Sequence, residues 1–281
     1  MPTFRYVVAD VFTDRPLEGN GLAVFTDGRE VPETMLQRLA REMNLSETVF
    51  VYPPEGDGHA RIRIFTPVSE LPFAGHPVLG TAFVLAAPLQ LGEIRLETGV
   101  GIVPLTLERG NGRIVFGRMS QPIPTVQLFD RGGELLAALG VEGSELPLEL
   151  YDSGLGNVYV VLPSEDAVAS LAPDLGAVAD VMGTVHACCV AGSGARWKMR
   201  MFAPADGVPE DPATGSAAGP LACHLARHRR IGFGEEIVIS QGAEIGRPST
   251  LHARVEGSPE QIEKVVVGGS AVLVARGEFR F

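Results

Sequence analysis

The sequence predicts an α+β protein of two pseudo-symmetric domains, each a barrel-like β-sheet wrapped around one central helix. Three observations carry that prediction. First, blocks of the first half return in the second half in the same order. Gly19-Asn20-Gly21-Leu22-Ala23-Val24 returns as Gly156-Asn157-Val158-Tyr159-Val160-Val161, and Arg61-Ile62-Arg63-Ile64-Phe65-Thr66-Pro67 as Lys198-Met199-Arg200-Met201-Phe202-Ala203-Pro204, both 137 positions on (19 to 156, 61 to 198). Pro77-Val78-Leu79-Gly80-Thr81-Ala82 returns as Pro212-Ala213-Thr214-Gly215-Ser216-Ala217, 135 positions on (77 to 212). A period this long fits one domain per copy rather than one layer of a solenoid. Second, each copy holds a largely apolar helix candidate, 77–87 and 212–229, and a helix apolar all round must be buried. Third, most of the remaining pattern is short strand signal.

Taken in order, residues 6–12 read as a strand from their β-branched and aromatic content, 14–20 as the loop after it, and 21–25 as a second strand. Residues 32–43 set Met35, Leu36, Leu39, Ala40 and Met43 at helical spacing, giving an amphipathic surface helix that Asn44 ends. Strands follow at 48–52 and 60–65, the latter alternating polar and apolar. After the apolar helix at 77–87 come strands at 93–97, 101–108 and 113–118, the last two joined by the hairpin turn Asn111-Gly112. Gln121-Pro122-Ile123-Pro124 breaks the pattern and marks the domain boundary, giving domains 1–120 and 121–281. Beyond it, 134–139 reads as helix and 157–162, 185–190 and 197–202 as strands. The helix at 212–229 should be bent or delayed by Gly219-Pro220. Residues 268–281 close the chain as a strand that could cross to the first domain.

The length of 281 residues suits two domains that each bury a core, and 45 % hydrophobic with 20 % charged residues is a globular composition. A formal charge of −11 argues against nucleic acid or anionic membrane as partner, since both need a cationic surface. The opening residues show no basic segment followed by an apolar core, and no stretch approaches the roughly 20 apolar residues of a membrane span. The expectation is a cytoplasmic protein. Cys188, Cys189 and Cys223 are too few and too badly spaced for a disulfide framework or a metal knuckle, so they read as buried packing, with Cys223 an alternative site residue. No metal is expected. No phosphate loop or dinucleotide fingerprint is present, and no cofactor is expected either.

Each central helix begins at a proline, which the first helical turn tolerates, and Asp211 sits where an N-cap belongs. The starts Gly80-Thr81 and Gly215-Ser216 would leave backbone N–H groups and the helix dipole facing a carboxylate or phosphate oxygen. His76 precedes the first proline and Asp211 the second, so matched positions carry an imidazole and a carboxylate, which together can hold or share a proton. Glu47 has no acidic counterpart in the second copy, where Thr184 stands, and a strand entering the core beside it could hold its carboxyl in a partly dry pocket. A random surface glutamate would mean nothing. Arg247, in the glycine-bounded turn 241–249, either meets a substrate anion or pairs with Glu244.

Read together, Asn44-Leu45-Ser46-Glu47-Thr48, Phe73-Ala74-Gly75-His76-Pro77, Glu210-Asp211-Pro212-Ala213-Thr214-Gly215-Ser216-Ala217 and Gln241-Gly242 with Gly246-Arg247-Pro248 resemble the PhzF-like family of phenazine-biosynthesis isomerases. The stretches 10–13 and 20–24 are similar as well. The resemblance implies a diaminopimelate-epimerase-like fold with the active site between the domains, no cofactor, and a homodimer. It implies that Glu47 moves a proton, that His76 and Asp211 assist, and that Gly75, Gly215 and Ser216 bind the carboxylate of a small-molecule substrate. The related epimerases use two cysteines, near whose places Ala74 and Asp211 stand here. The first functional expectation is therefore an isomerase acting by acid–base proton transfer on a small carboxylic acid, cyclic or amino. A racemase with carboxylate and imidazole bases, and a non-catalytic metabolite-binding protein, are the alternatives.

Overall fold

A computed structural model describes residues 2–280. The chain divides into two compact units, Met1–Ser120 with Gly268–Phe281, and Gln121–Val267.

In the first unit, β1 (Thr3–Val11) runs antiparallel to β2 (Asn20–Phe25), and helix α1 (Glu33–Met43) leads to β3 (Glu47–Tyr52), which is parallel to β2. Strand β4 (Ala60–Phe65) is antiparallel to β3, and a two-residue strand β5 (Glu70–Leu71) precedes helix α2 (Gly75–Leu89). Then β6 (Glu93–Thr98) pairs parallel with β4, and β7 (Gly101–Gly110) and β8 (Arg113–Gln121) extend the ladder antiparallel. The Asn111-Gly112 turn has φ of 51° and 76°, as a tight hairpin turn of inverted twist requires. α1 lays Leu36, Leu39 and Ala40 on Phe25, Phe50 and Phe65, and ends where Asn44 turns left-handed with its N–H on the Ala40 carbonyl. α2 is buried at every residue from Gly75 to Val84, as its largely apolar sequence demands. Gly80 lets it approach the sheet, because a Cβ there would lie 2.6 Å from the side chains of both Val11 and Leu22.

The second unit comprises β9 (Thr125–Leu128), α3 (Gly132–Leu139), β10 (Glu149–Asp152), β11 (Gly156–Val161), α4 (Glu165–Ala169), α5 (Leu175–Met182), β12 (His186–Ser193), β13 (Arg196–Ala203), β14 (Val208–Asp211), α6 (Gly215–Arg227), β15 (Glu236–Gln241) and β16 (Ser249–Gly257), followed by β17 (Ile262–Gly269). Its ladder repeats that of the first. From β1 through β2, β3, β4 and β6 to β7 the pairings are antiparallel, parallel, antiparallel, parallel, antiparallel. From β10 through β11, β12, β13 and β15 to β16 they follow the same series. A buried helix, α2 or α6, enters at the same point of each series. The duplication read from the sequence is thus a duplication of topology. The last strand, β18 (Ala271–Arg280), belongs to the first unit and pairs antiparallel with β1 along its whole length.

Both central helices start elsewhere than their prolines suggest. α2 begins two residues before Pro77, with Ala74 as its N-cap, so Gly80 and Thr81 sit in its second turn rather than at its start. α6 begins three residues after Pro212, with Thr214 as its N-cap. Asp211 therefore does not cap the helix; it ends β14. Pro77 is the third residue of α2, in its first turn, whereas Pro212 lies outside α6, ahead of its N-cap. Pro220, sixth residue of α6, offers no N–H to the Ser216 carbonyl, yet the helix continues to Arg227.

Candidate functional site

In the first unit three elements deliver one side chain each to the same spot. Asn20 is the first residue of β2 and Glu47 the first of β3, where it stands beside Leu22 in the parallel register. His76 is the second residue of α2. The Asn20 Nδ2 donates to His76 Nδ1 at 3.2 Å, which leaves the ring proton of the neutral imidazole on Nε2. That nitrogen lies 3.3 Å from Glu47 Oε2. The His76 side chain is 3 % exposed and that of Glu47 14 %, so the pair is almost dry while the carboxylate keeps an opening to solvent or ligand.

Burial pushes the His76 pKa down from 6.5 to about 3. The unfolded chain then binds this proton before the folded one does. Stability from this group is complete above pH 6.5 and is lost as the pH falls from there toward 3, by up to about 1.4 kcal/mol per pH unit. Urea unfolding between about pH 7 and about pH 4 should show wild type losing stability more steeply than His76→Asn, and equal slopes would contradict the assignment.

The second unit gathers a different set. Thr214, N-cap of α6, donates its hydroxyl to Asp211 Oδ2 at 2.7 Å and its backbone N–H to Gln241 Oε1 at 3.0 Å. The Gln241 amide in turn donates to the Asp211 carbonyl (2.8 Å) and to Thr214 Oγ1 (2.9 Å). All three side chains are buried. Gly242 follows at φ +80°, with Pro212 O and Arg247 O only 2.5 and 2.4 Å from where a Cβ would sit. Only glycine allows the 241–247 turn to close on the Asp211-Pro212 segment. The Gln121 side chain holds the Gly215 carbonyl at 2.9 Å.

The predicted carboxylate-binding residues are helix starts: Gly75 is the first residue of α2, and Gly215 and Ser216 the first two of α6. Neither N-cap residue caps its helix with a side-chain hydrogen bond, and each start carries the positive end of its helix dipole. Glu47, His76 and Gly75 are brought together in the first unit, and Asp211, Gly215 and Ser216 in the second. Asn20, Thr214 and Gln241 were not singled out as site residues by sequence reasoning. The signal for Asn20 was its place in the repeated Gly-Asn block, and that for Gln241 its place before Gly242. Glu244, offered as a partner of Arg247, makes its ion pair with Lys198 at 2.6 Å. The three cysteines are buried as thiols, and burial pushes Cys189 and Cys223 up to about 12. Among the described residues, the side chains grouped so that they could hold a metal, Glu149, His224 and His228, lie outside both sets.

Comparison with known proteins bears on this geometry. The model of the family described as "Phenazine biosynthesis-like protein" matches residues 9–277. The chain is 54 % identical to the trans-2,3-dihydro-3-hydroxyanthranilate isomerase of Pseudomonas aeruginosa, over 97 % of this chain and 98 % of that one. It superposes with a TM-score of 0.85 on a phenazine biosynthesis protein of the PhzF family from Bacillus anthracis, 26 % identical, with both chains fully covered. A structure described as a predicted epimerase from Pseudomonas aeruginosa gives 0.84 at 32 % identity, covering 98 % of this chain and 99 % of that one.

Proposed function

The chain belongs to the phenazine biosynthesis-like protein family and is an isomerase, and from that premise we propose that it moves a proton between two carbons of trans-2,3-dihydro-3-hydroxyanthranilate or a close cyclic analogue, by acid–base catalysis. An isomerisation conserves every atom: one C–H bond breaks and another forms elsewhere on the same molecule. A single carboxylate can take the first proton and, once protonated, deliver it to the second carbon. No electrons leave the substrate, so the step asks for no redox cofactor.

The observation that carries the reading is the buried Glu47–His76 contact in a chain so similar to an enzyme named for this isomerisation. In this reading Glu47 is the carrier. Neutral His76, fixed by Asn20, stands with Nε2 3.3 Å from Glu47 Oε2, close enough to hold the carboxylate in place. The starts of α2 and α6 bind the substrate carboxylate through Gly75, Gly215 and Ser216. Asp211, held by Thr214, relays or positions a proton on the same substrate. Acid–base catalysis supplies about 10²- to 10⁴-fold, and orientation with exclusion of water supplies the rest.

Racemisation by two thiols is disfavoured, because all three cysteines are buried. The deciding experiment is NMR of the full chain with trans-2,3-dihydro-3-hydroxyanthranilate in heavy water. Expected is consumption of the substrate with double-bond migration and deuterium at one carbon of the product. Unchanged substrate would overturn the reading, and deuterium at a stereocentre without migration would replace it by epimerisation. The proposal extends to a cytoplasmic homodimer, which light scattering would show as twice the chain mass of 29.8 kDa.

A further inference from the structure

Away from the groups proposed for catalysis, three metal-donor side chains of the second unit converge: Glu149 of β10, His224 in the last turn of α6 and His228, its C-cap. The two histidines stand four residues apart, which on a helix puts both rings on one face, above one another. Their donor atoms and the Glu149 carboxylate oxygen all lie within 4.8 Å of each other. His228 Nε2 is 2.9 Å and His224 Nδ1 3.5 Å from Glu149 Oε2. A tetrahedral ion with bonds of about 2.0–2.2 Å keeps its ligands about 3.3 Å apart, so small movements suffice to receive one.

The surroundings are built rather than accidental. His224 is fully buried, and its ring is held between Tyr151, edge-on at 5.3 Å, and Tyr159, stacked at 5.4 Å. Such packing fixes a ligand before its ion arrives. Glu149 Oε2 also accepts from the Tyr151 hydroxyl at 2.8 Å and from Arg227 Nη1 at 3.0 Å. With His228 Nε2 that makes three hydrogen bonds to one oxygen, which has about two lone pairs to offer, while His224 Nδ1 pairs with the Tyr151 hydroxyl at 3.2 Å. The crowding is relieved if the imidazoles turn their lone pairs to a shared cation. The hydrogen bonds of His224, His228 and Tyr151 and the Arg227 charge hold the Glu149 carboxyl well below its ordinary range, against the cost of burial, so it is an anionic ligand.

We propose that Glu149, His224 and His228 form a site for a borderline divalent transition-metal ion such as Zn²⁺ or Co²⁺, and that the Arg227 guanidinium is the cation it displaces. Two nitrogens and one oxygen favour these ions over Mg²⁺ or Ca²⁺, which take oxygen ligands. The Arg227 side chain is 29 % exposed and has solvent into which to swing. The ion would pin the end of α6 to β10.

The test is Co²⁺ titration of the full chain followed by its visible ligand-field absorption. Expected are bands of low-coordinate Co²⁺ that saturate at one ion per chain and vanish when Zn²⁺ is added. His228→Ala, at a partly exposed position, should weaken binding by at least about tenfold, and Glu149→Gln likewise. Arg227→Met, which keeps the aliphatic stem, should tighten binding by about tenfold, an effect that a purely hydrogen-bonded anchor does not predict. Absence of the bands, binding unaltered by His228→Ala, or Arg227→Met binding no more tightly than wild type would each overturn the proposal. Circular dichroism of each variant separates lost binding from lost folding. If Glu149→Gln does not fold, the other two variants decide the matter.

Discussion

Glu47→Gln is expected to lower kcat on trans-2,3-dihydro-3-hydroxyanthranilate by about 10³-fold or more while leaving KM within a few-fold. The substitution is nearly isosteric and keeps the neighbour of His76, so the helix starts proposed to bind the substrate are left as they are. What it removes is the one oxygen in the first-unit set that can accept a proton. His76 is no substitute base, because burial has pushed it down to about 3 and its free lone pair, on Nδ1, is already engaged by Asn20. His76→Asn should cost less, since it loosens the orientation of the carrier without deleting it. Steady-state kinetics of the two variants check the ranking. Undiminished turnover by Glu47→Gln would move the proton carrier to another residue.

The largest effect on stability is expected at Glu210. Its carboxylate takes two bonds from Arg200, Nε at 2.9 Å and Nη2 at 2.7 Å, with both side chains about nine-tenths buried. The guanidinium is committed further, because Nη1 donates to the carbonyls of Val168, Ala169 and Leu171 at 3.4, 3.2 and 2.7 Å, closing the end of α4. Glu210→Gln leaves that cation buried and unpaired, at a cost of about 3–5 kcal/mol. For a protein of this size the melting temperature should fall by about 10 °C, which calorimetry would measure. A fall of only a degree or two would mean that solvent reaches the guanidinium and screens it.

How much of this could be read without coordinates depends on the range of the interactions. The repeated blocks announced two like units, and in the structure they begin β2 and β11, form β4 and β13, and open the two central helices. The strands of the first half were legible because each alternates or is β-branched, and α1 because its apolar stripe is clean. Asp211 misled, because an acid before a proline looks like an N-cap. In the structure Thr214 is the cap, and its N–H is satisfied by Gln241, 27 positions beyond it. Pairings of this kind leave no local mark. Asn20 and His76 are 56 positions apart, and Glu149 and His228 are 79 apart, so neither contact appears in any periodicity. Helices α4 and α5 span only five and eight residues, too short to declare a stripe.

The pairing of β1 with β18 has a consequence for how the molecule is made. During synthesis the middle portion, 121–267, is one contiguous unit that has emerged in full once residue 267 has left the ribosome. The opening portion, although translated first, waits for residues 271–280 before β1 gains its second neighbour. The nascent chain therefore completes its later unit ahead of its earlier one, and until residues 271–280 emerge β1 has an unsatisfied edge of the kind that invites mispairing.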